Sequence, residues 1–141
     1  MESINRTTTT VEKVVNAPVE KVWQCWTTPK DIMNWCHASD DWHAPYAEND
    51  LTNGGRFKTT MAAKDGSFSF DIGGSYTKIE RHKLIEYTLD DDRKVKIQFI
   101  DGEGKTTVIE SFEAEGTNLI DMQQRGWQAI LNNFKKYTEG K

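Results

Sequence analysis

The chain has 141 residues, with 18 Lys and Arg against 22 Asp and Glu, and a formal net charge of −4 at pH 7. This length predicts one domain, spanning residues 1–141, that buries about two-thirds of its unfolded surface. The mixed, slightly acidic charge argues against a nucleic-acid partner. No apolar run approaches the roughly 20 residues of a membrane span.

The polar N-terminal residues lack the apolar stretch of a signal peptide. We therefore expect a cytoplasmic protein, in which Cys25 and Cys36 remain free thiols.

The N-terminal part predicts a strand followed by two short helices. Arg6 to Val15 is rich in Thr and Val, and its imperfect alternation indicates a bulge or an edge position. Pro18 suits the first position of a helix. Thr28 and Pro29 form a second start signal, as a cap and a first helical residue. The apolar face of the first helix holds Val19, Val22, Trp23 and Trp26.

The middle of the chain predicts a long loop and then a run of hairpins. Cys36 to Gly55 shows no clear period, which is typical of a loop covering one end of a sheet. From Arg56 to Ala114 the alternation predicts strands, and Gly73-Gly74 indicates a bend or bulge. The side chains expected on the inner faces are Phe57, Thr59, Met61, Phe68, Phe70, Ile72, Ile85, Tyr87, Leu89, Val95, Ile97 and Phe99.

A long C-terminal helix is predicted from Asn118 to about Thr138. Its apolar residues recur at helical spacing, and they are Ile120, Trp127, Ile130, Leu131, Phe134 and Thr138. Thr117 or Asn118 can cap the start, Lys135 and Lys136 suit the negative end, and Gly140 is expected to stop the helix. The elements together predict an α+β fold, in which a curved antiparallel sheet of about six strands wraps around this helix.

The motifs of common catalytic and metal sites are missing from the sequence. Cys25, Cys36, His37 and His43 lack the spacing of zinc ligands. There is no nucleophile elbow and no phosphate-binding glycine loop, and Asp90 to Asp92 read as a solvated turn. We therefore expect no metal, no cofactor and no catalytic residue of a recognisable class.

Large apolar side chains from several strands and from the long helix share one inner face. This pattern is compatible with a close-packed core. It is equally compatible with an apolar pocket that carries a few polar groups. Gly126, inside the long helix, costs about 1 kcal/mol relative to Ala, and it could either bring helix and sheet together or leave space beside Trp127.

Several motifs, in the same order, resemble the family of homologues of the activator of the heat shock protein ninety ATPase, over residues 8–138. They are Asn16-Ala17-Pro18-Val19-Glu20-Lys21-Val22-Trp23, Gly54-Gly55-Arg56-Phe57, Gly74-Ser75-Tyr76, Leu84-Ile85-Glu86-Tyr87-Thr88 and Gly126-Trp127-Gln128-Ala129-Ile130-Leu131. The resemblance implies a helix-grip fold of the START-like superfamily, which includes the birch pollen allergen and the polyketide cyclases, often with a hydrophobic cavity. Many relatives carry two adjacent tryptophans where this chain has Trp35-Cys36.

Three functions follow from these observations as hypotheses. The first is binding of a small hydrophobic or amphipathic molecule, a lipid or an aromatic metabolite, with Tyr76, Tyr87 or Arg125 orienting its polar end. The expected cavity residues are Trp35, Trp42, Phe57, Phe70, Ile72, Tyr76, Tyr87, Ile97, Phe99, Trp127, Ile130 and Phe134.

The second hypothesis is a cyclase-type or hydrolase-type enzyme. It requires a titratable group inside the pocket, and the candidates are Asp71, Glu110, His43 and Tyr87. The third is a co-chaperone-like protein whose partner is the heat shock protein ninety ATPase. The first is preferred, because the inner face is rich in aromatic residues and the resemblance implies a superfamily that often has a hydrophobic cavity.

Overall fold

A computed structural model describes residues 7–116 and 119–141. In this part of the chain there are seven strands and three helices. In order they are β1 (Thr8–Val15), α1 (Val19–Thr27), α2 (Pro29–Trp35), β2 (Trp42–Asn49), β3 (Arg56–Ala63), β4 (Ser69–Glu80), β5 (Leu84–Leu89), β6 (Lys94–Gly102), β7 (Lys105–Glu113) and α3 (Ile120–Gly140).

The strands form one antiparallel sheet in the order β1-β7-β6-β5-β4-β3-β2. Consecutive strands from β2 to β7 are neighbours, and β1 closes the order by pairing with β7. The sheet curves around α3, and α1 and α2 connect its two edge strands. The predicted α+β helix-grip architecture and the edge position of β1 are confirmed.

The sheet has seven strands rather than about six, because β2 lies inside the segment predicted as a loop. The pairing of β2 with β3 shifts register between His43 and Tyr46. Pro45 lies in that interval, and it has no N–H to donate to a ladder. This irregularity interrupts the alternation that would have identified an edge strand.

The irregularity of β4 also differs from the prediction. The pairing with β5 shifts register between Tyr76 and Lys78, so the extra residue is Thr77 and not one of the two glycines. Gly74 instead permits a close approach of two strands. A Cβ atom at this position would lie 2.4 Å from the carbonyl oxygen of Thr88.

The predicted starts of the two short helices are close to the observed ones. Thr28 is the residue before α2 and Pro29 is its first residue, as predicted. The Thr28 hydroxyl makes no capping hydrogen bond; the Thr28 carbonyl accepts from the N–H groups of Asp31 and Ile32. Pro18 immediately precedes α1 rather than forming its first turn.

Helix α3 extends to Gly140, which is its last residue rather than the stop expected from the sequence. Its last turn therefore contains no basic residue, and Lys135 and Lys136 lie further back. The two predicted caps, Thr117 and Asn118, lie outside the described residues.

Helix α3 lies along the edge strand β1. Three of its side chains donate hydrogen bonds to alternate carbonyls of that strand, Gln124 to Thr10 (3.2 Å), Gln128 to Glu12 (3.3 Å) and Lys135 to Val14 (2.9 Å). These carbonyls would otherwise form an open edge that could pair with another chain.

The C-terminal end of α3 is held by the buried carboxyl group of Asp31, in α2. The Tyr137 hydroxyl donates to Asp31 at 2.5 Å, and the Lys141 ammonium lies 2.7 Å from the same oxygen. The helix is thus attached to the sheet along its length and to α2 at its end.

The close-packed part of the interior lies between α1, α2, α3 and β6. An aromatic cluster forms its centre, with neighbouring ring centroids 4.8 to 5.8 Å apart, and consists of Trp23, Trp26, Trp35, Phe99 and Phe134.

Candidate functional site

A cavity of about 500 Å³ lies between the concave face of the sheet and α3. Nine of the residues expected from the sequence line it, namely Trp35, Trp42, Phe57, Phe70, Ile72, Tyr76, Tyr87, Trp127 and Ile130. The structure therefore brings together most of the side chains that the sequence placed on one inner face.

Three of the expected residues do not line the cavity. Ile97, Phe99 and Phe134 are buried in the hydrophobic core, the last two in the aromatic cluster. The two alternatives left open by the sequence, a close-packed core and a pocket, thus both occur, in different parts of the same interior.

The sheet wall of the cavity carries three aromatic rings in mutual contact. The Phe57 ring centroid lies 5.2 Å from that of Tyr76 and 4.7 Å from that of Tyr87. Ile72 and Met61 extend this wall. Edge-to-face and tilted ring contacts of this kind hold the side chains in place, so the wall is a defined apolar surface.

The helix wall is formed by Trp127, Ile130 and Gly126. Trp127 stacks on Phe112 of β7, with ring centroids 4.1 Å apart and planes 6° apart. A Cβ atom built on Gly126 meets nothing within 4 Å. Of the two roles considered for this glycine, the structure therefore supports the second: it leaves space beside Trp127.

The lining residues that are exposed to solvent mark the mouth of the cavity. They are Ala38 and Ser39 after α2, Glu48 in β2 and Phe70 in β4. Phe70 and the neighbouring Phe68 contact Trp42, with ring centroids 5.9 and 6.1 Å from the Trp42 ring. An aromatic rim thus leads from the surface to the interior.

Glu110, one of the four titratable candidates from the sequence, is a charged residue type that lines the cavity. It is 5% exposed, and its direct neighbours across the sheet are the buried Val11 and Ile97. Within the described residues its carboxyl group makes no hydrogen bond and no ion pair. Burial raises the pKa of Glu110 to about 8, because removal from water disfavours the charged form.

Two tyrosine hydroxyls lie in the same cavity, and their partners differ. Tyr76 donates to Asn49 Oδ1 at 2.5 Å, and Asn49 in turn donates to the carbonyl of Thr27 at 2.7 Å. Tyr87 has no hydrogen-bond partner in the described part of the chain. Burial, and then the charge of Glu110, raise the pKa of Tyr87 well above its usual range.

Cys36 and Arg93 also line the cavity. Burial raises the pKa of Cys36 to about 12, with a smaller contribution from Glu110, so this thiol is unreactive near neutral pH. The Arg93 guanidinium lies 2.8 Å from the carboxylate of Asp91 in the same turn. Both Cys36 and Cys25 are free thiols, as expected.

Other polar residues considered from the sequence face outward. Asp71 is exposed and accepts a 2.6 Å hydrogen bond from Thr60, and His43 is exposed on β2. Arg125 is exposed and does not line the cavity, so it cannot orient a bound molecule there. Of the four enzyme candidates, Glu110 and Tyr87 remain inside.

Residues 7–116 and 119–141 contain neither a cluster of metal-binding side chains nor a membrane-spanning helix. No group of three or more His, Cys, Asp or Glu residues is placed to hold a metal ion. No helix in these ranges is long and apolar enough to cross a membrane.

An antiparallel sheet that grips a long C-terminal helix defines a helix-grip protein of the START-like superfamily. Within it, the chain belongs to the family of activator of Hsp90 ATPase homolog 1-like proteins, whose model matches residues 16–139. The resemblance inferred from the sequence motifs is confirmed.

Similar solved structures extend over nearly the whole chain. The AHSA1-like protein from Aeromonas hydrophila is 42% identical with a TM-score of 0.90, covering 95% of this chain and 93% of that chain. Protein Chr148 from Cytophaga hutchinsonii is 56% identical with a TM-score of 0.80, covering 93% and 91%. Protein CV1439 from Chromobacterium violaceum is 20% identical with a TM-score of 0.85, covering 94% of this chain and 98% of that chain. At this identity the similarity shows the fold alone. No curated protein matches the chain.

Proposed function

We propose that this protein binds a small hydrophobic or amphipathic molecule in the cavity between the sheet and α3. The observation that carries the proposal is an apolar space of about 500 Å³ that reaches the surface through an aromatic rim. Ligand sites in proteins typically have volumes of about 300 to 1,000 Å³ and combine an apolar lining with a few polar groups. Glu110 and Tyr87 supply such polar groups.

The volume sets the size of the expected ligand. An engineered apolar cavity of about 150 Å³ holds one benzene molecule, so this cavity accommodates a molecule of two or three aromatic rings or a short lipid chain. For about 17 non-hydrogen atoms at about 0.4 kcal/mol per atom, the binding free energy is about 7 kcal/mol. This corresponds to a dissociation constant of about 10 μM.

The proposal can be tested with the neutral fluorophore N-phenylnaphthylamine and two variants at one position. In Gly126→Phe the new ring has open space at its Cβ and enters the cavity, so we expect loss of probe binding. Gly126→Ala adds a single methyl group in the same space and serves as the matched control, with binding retained. Equal probe fluorescence in the wild type and both variants would place any binding outside the cavity and contradict the proposal.

Family membership supports a second proposal, a co-chaperone-like interaction with the Hsp90 ATPase. The test is ATPase turnover of the chaperone with and without this protein. A Gly126→Phe variant separates the two roles, since a surface interaction is insensitive to a filled cavity. No change of turnover at saturating protein counts against this second proposal.

A cytoplasmic location, where such a partner is found, stays a prediction.

A further inference from the structure

Two polar side chains of the cavity lining have no hydrogen-bond partner within the described residues, and they border the same space. Glu110 projects from β7 and Tyr87 from β5, and both line the cavity. The two groups are near each other, since the charge of Glu110 contributes to the raised pKa of Tyr87. Tyr87 is only partly buried, and both side chains border the cavity, where a bound molecule can reach them. A ligand that covered these groups without hydrogen-bonding them would incur the cost of removing them from water. A bound molecule that satisfied both groups would remove that cost.

Within the described residues, no cation pairs with the Glu110 carboxyl group, and burial is the cause of its raised pKa. Val11 and Ile97 flank it across the sheet, and both are buried. Arg93, a basic residue of the cavity lining, is paired with Asp91. A carboxyl group in such an apolar site is neutral at pH 7 and acts as a hydrogen-bond donor.

We infer that Glu110 and Tyr87 together form a pair of hydrogen-bond donors that selects an apolar ring-sized molecule carrying a neutral acceptor, such as a ketone or another carbonyl group. This inference rests on the proposed ligand-binding function and specifies the chemical class of the ligand. A carbonyl oxygen has two lone pairs, and it can accept from the carboxyl O–H and the phenol O–H at once. The remainder of the molecule contacts Phe57, Ile72 and Trp127.

The alternative ligand for a buried carboxyl group is an amine, and the two differ in pH dependence. Glu110 has a pKa of about 8, so a ketone that needs its proton binds below that pH and is released as the pH rises through it. An ammonium ion needs the carboxylate, so its affinity rises with pH toward the same value. The affinities for the two ligand classes therefore change in opposite directions.

The other titratable groups of the cavity lining must be compared with Glu110 as sources of pH-dependent ligand binding. Cys36, at the end of α2, and Tyr87 have raised pKa values and keep their protons across the neutral range. Tyr76 of β4 is hydrogen-bonded to Asn49, and Arg93 stays positive. Glu48 of β2 and Glu115, which follows β7, also line the cavity, while the lining residues of α3 carry no charge. The Glu110→Gln variant separates the effect of Glu110 from all of these.

The experiment compares three naphthalenes of nearly equal shape by calorimetric titration from about pH 6 to about pH 10. Acetylnaphthalene carries a ketone, isopropenylnaphthalene is its hydrocarbon counterpart, and naphthylethylamine carries an amine. For the wild type at about pH 6 we expect the ketone to bind about tenfold more tightly than the hydrocarbon, the value of one or two added hydrogen bonds. This preference disappears as the pH rises through 8.

Variants locate the effect. Glu110→Leu and Tyr87→Phe reduce the ratio of ketone to hydrocarbon affinity, whereas Glu110→Gln retains an N–H donor and keeps the ratio at every pH. Tyr76→Phe is the matched control: its hydroxyl is already hydrogen-bonded to Asn49, so both affinities change by the same factor. Thermal unfolding of each variant confirms that it is folded.

Each outcome is decisive. Equal affinity for ketone and hydrocarbon in the wild type overturns the inference and leaves the proposed function intact. Tightest binding of the amine, with affinity that rises toward pH 8, overturns it in favour of an anionic site. Binding of none of the three overturns the proposed function and the inference together.

Discussion

Trp127 of α3 lies flat against Phe112 of β7, with ring centroids 4.1 Å apart and an interplanar angle of 6°. Phe112 is fully buried, two residues beyond Glu110 on the same face of β7. The stack therefore fixes the distance between helix and sheet beside the polar end of the cavity, and the space under α3 depends on it.

The first prediction concerns this stack. Aromatic pairs contribute about 0.5 to 1.5 kcal/mol beyond the area they bury. We expect Trp127→Leu and Phe112→Leu each to lower the free energy of unfolding, and the double variant to lose about 1 kcal/mol less than the sum of the two. Urea unfolding of the four proteins measures this coupling. Strict additivity would show that the two rings do not support each other.

The second prediction concerns pH and stability. The pKa of Glu110 is raised from its ordinary 4.5 to about 8 in the folded protein, so the folded state keeps a proton that the unfolded chain releases. Stability contributed by this group is present below about pH 4.5 and is lost as the pH rises toward 8.

Glu110→Gln removes this loss, since an amide does not titrate. We expect the variant to gain on the order of 3 kcal/mol relative to the wild type between about pH 4 and about pH 7. Denaturant unfolding at several pH values measures the difference, in which all other titrating groups cancel. A difference that does not change with pH would mean that Glu110 ionises normally.

The third prediction contrasts two glycines. Gly126 lies in a helix with open space at its Cβ, so Gly126→Ala should raise the free energy of unfolding by about 1 kcal/mol. At Gly74 an added Cβ would be 2.4 Å from the Thr88 carbonyl oxygen, so Gly74→Ala forces the strands apart and should cost about 1 to 3 kcal/mol. Thermal and urea unfolding measure both, and effects of the same sign would contradict the assignment of space at these positions.

The fourth prediction concerns the anchor between Asp31 and Tyr137. Asp31 is buried and accepts a 2.5 Å hydrogen bond from the Tyr137 hydroxyl. Tyr137→Phe removes the donor and should cost about 1 kcal/mol, whereas Asp31→Ala also leaves the hydroxyl unpaired and should cost more. Hydrogen exchange should then be faster in the last turns of α3, with β4 and β5 unaffected. Uniform acceleration over the whole chain would show that the anchor has no local role.

Much of this architecture could be predicted because it follows from side-chain periodicity. The inward residues of β5 and β6, among them Tyr87, Leu89, Val95 and Ile97, alternate regularly and have the orientation that the pattern indicates. The pattern of β2 is broken by Pro45 and a register shift, so the same rule could not find that strand.

The residue pattern alone could not decide between a close-packed core and a cavity, because the volume depends on how far α3 lies from the sheet. Phe57 and Phe99 have equivalent patterns, yet one lines the cavity and the other lies in the aromatic cluster. Glu110 was one of four candidates for a titratable group inside the pocket, and the sequence did not distinguish it from the exposed Asp71 and His43. The two-residue period of β7, in which it shares a face with Val108 and Phe112, contains the signal that it points inward.

The central claim is that a small apolar molecule occupies the space under α3, and intermolecular nuclear Overhauser effects test it most directly. With isotope-labelled protein and unlabelled acetylnaphthalene, we expect contacts from the ligand to the methyl groups of Met61 and Ile72 and to the Trp127 indole. Contacts confined to exposed side chains such as Phe68, Leu119 and Met122 would contradict the claim.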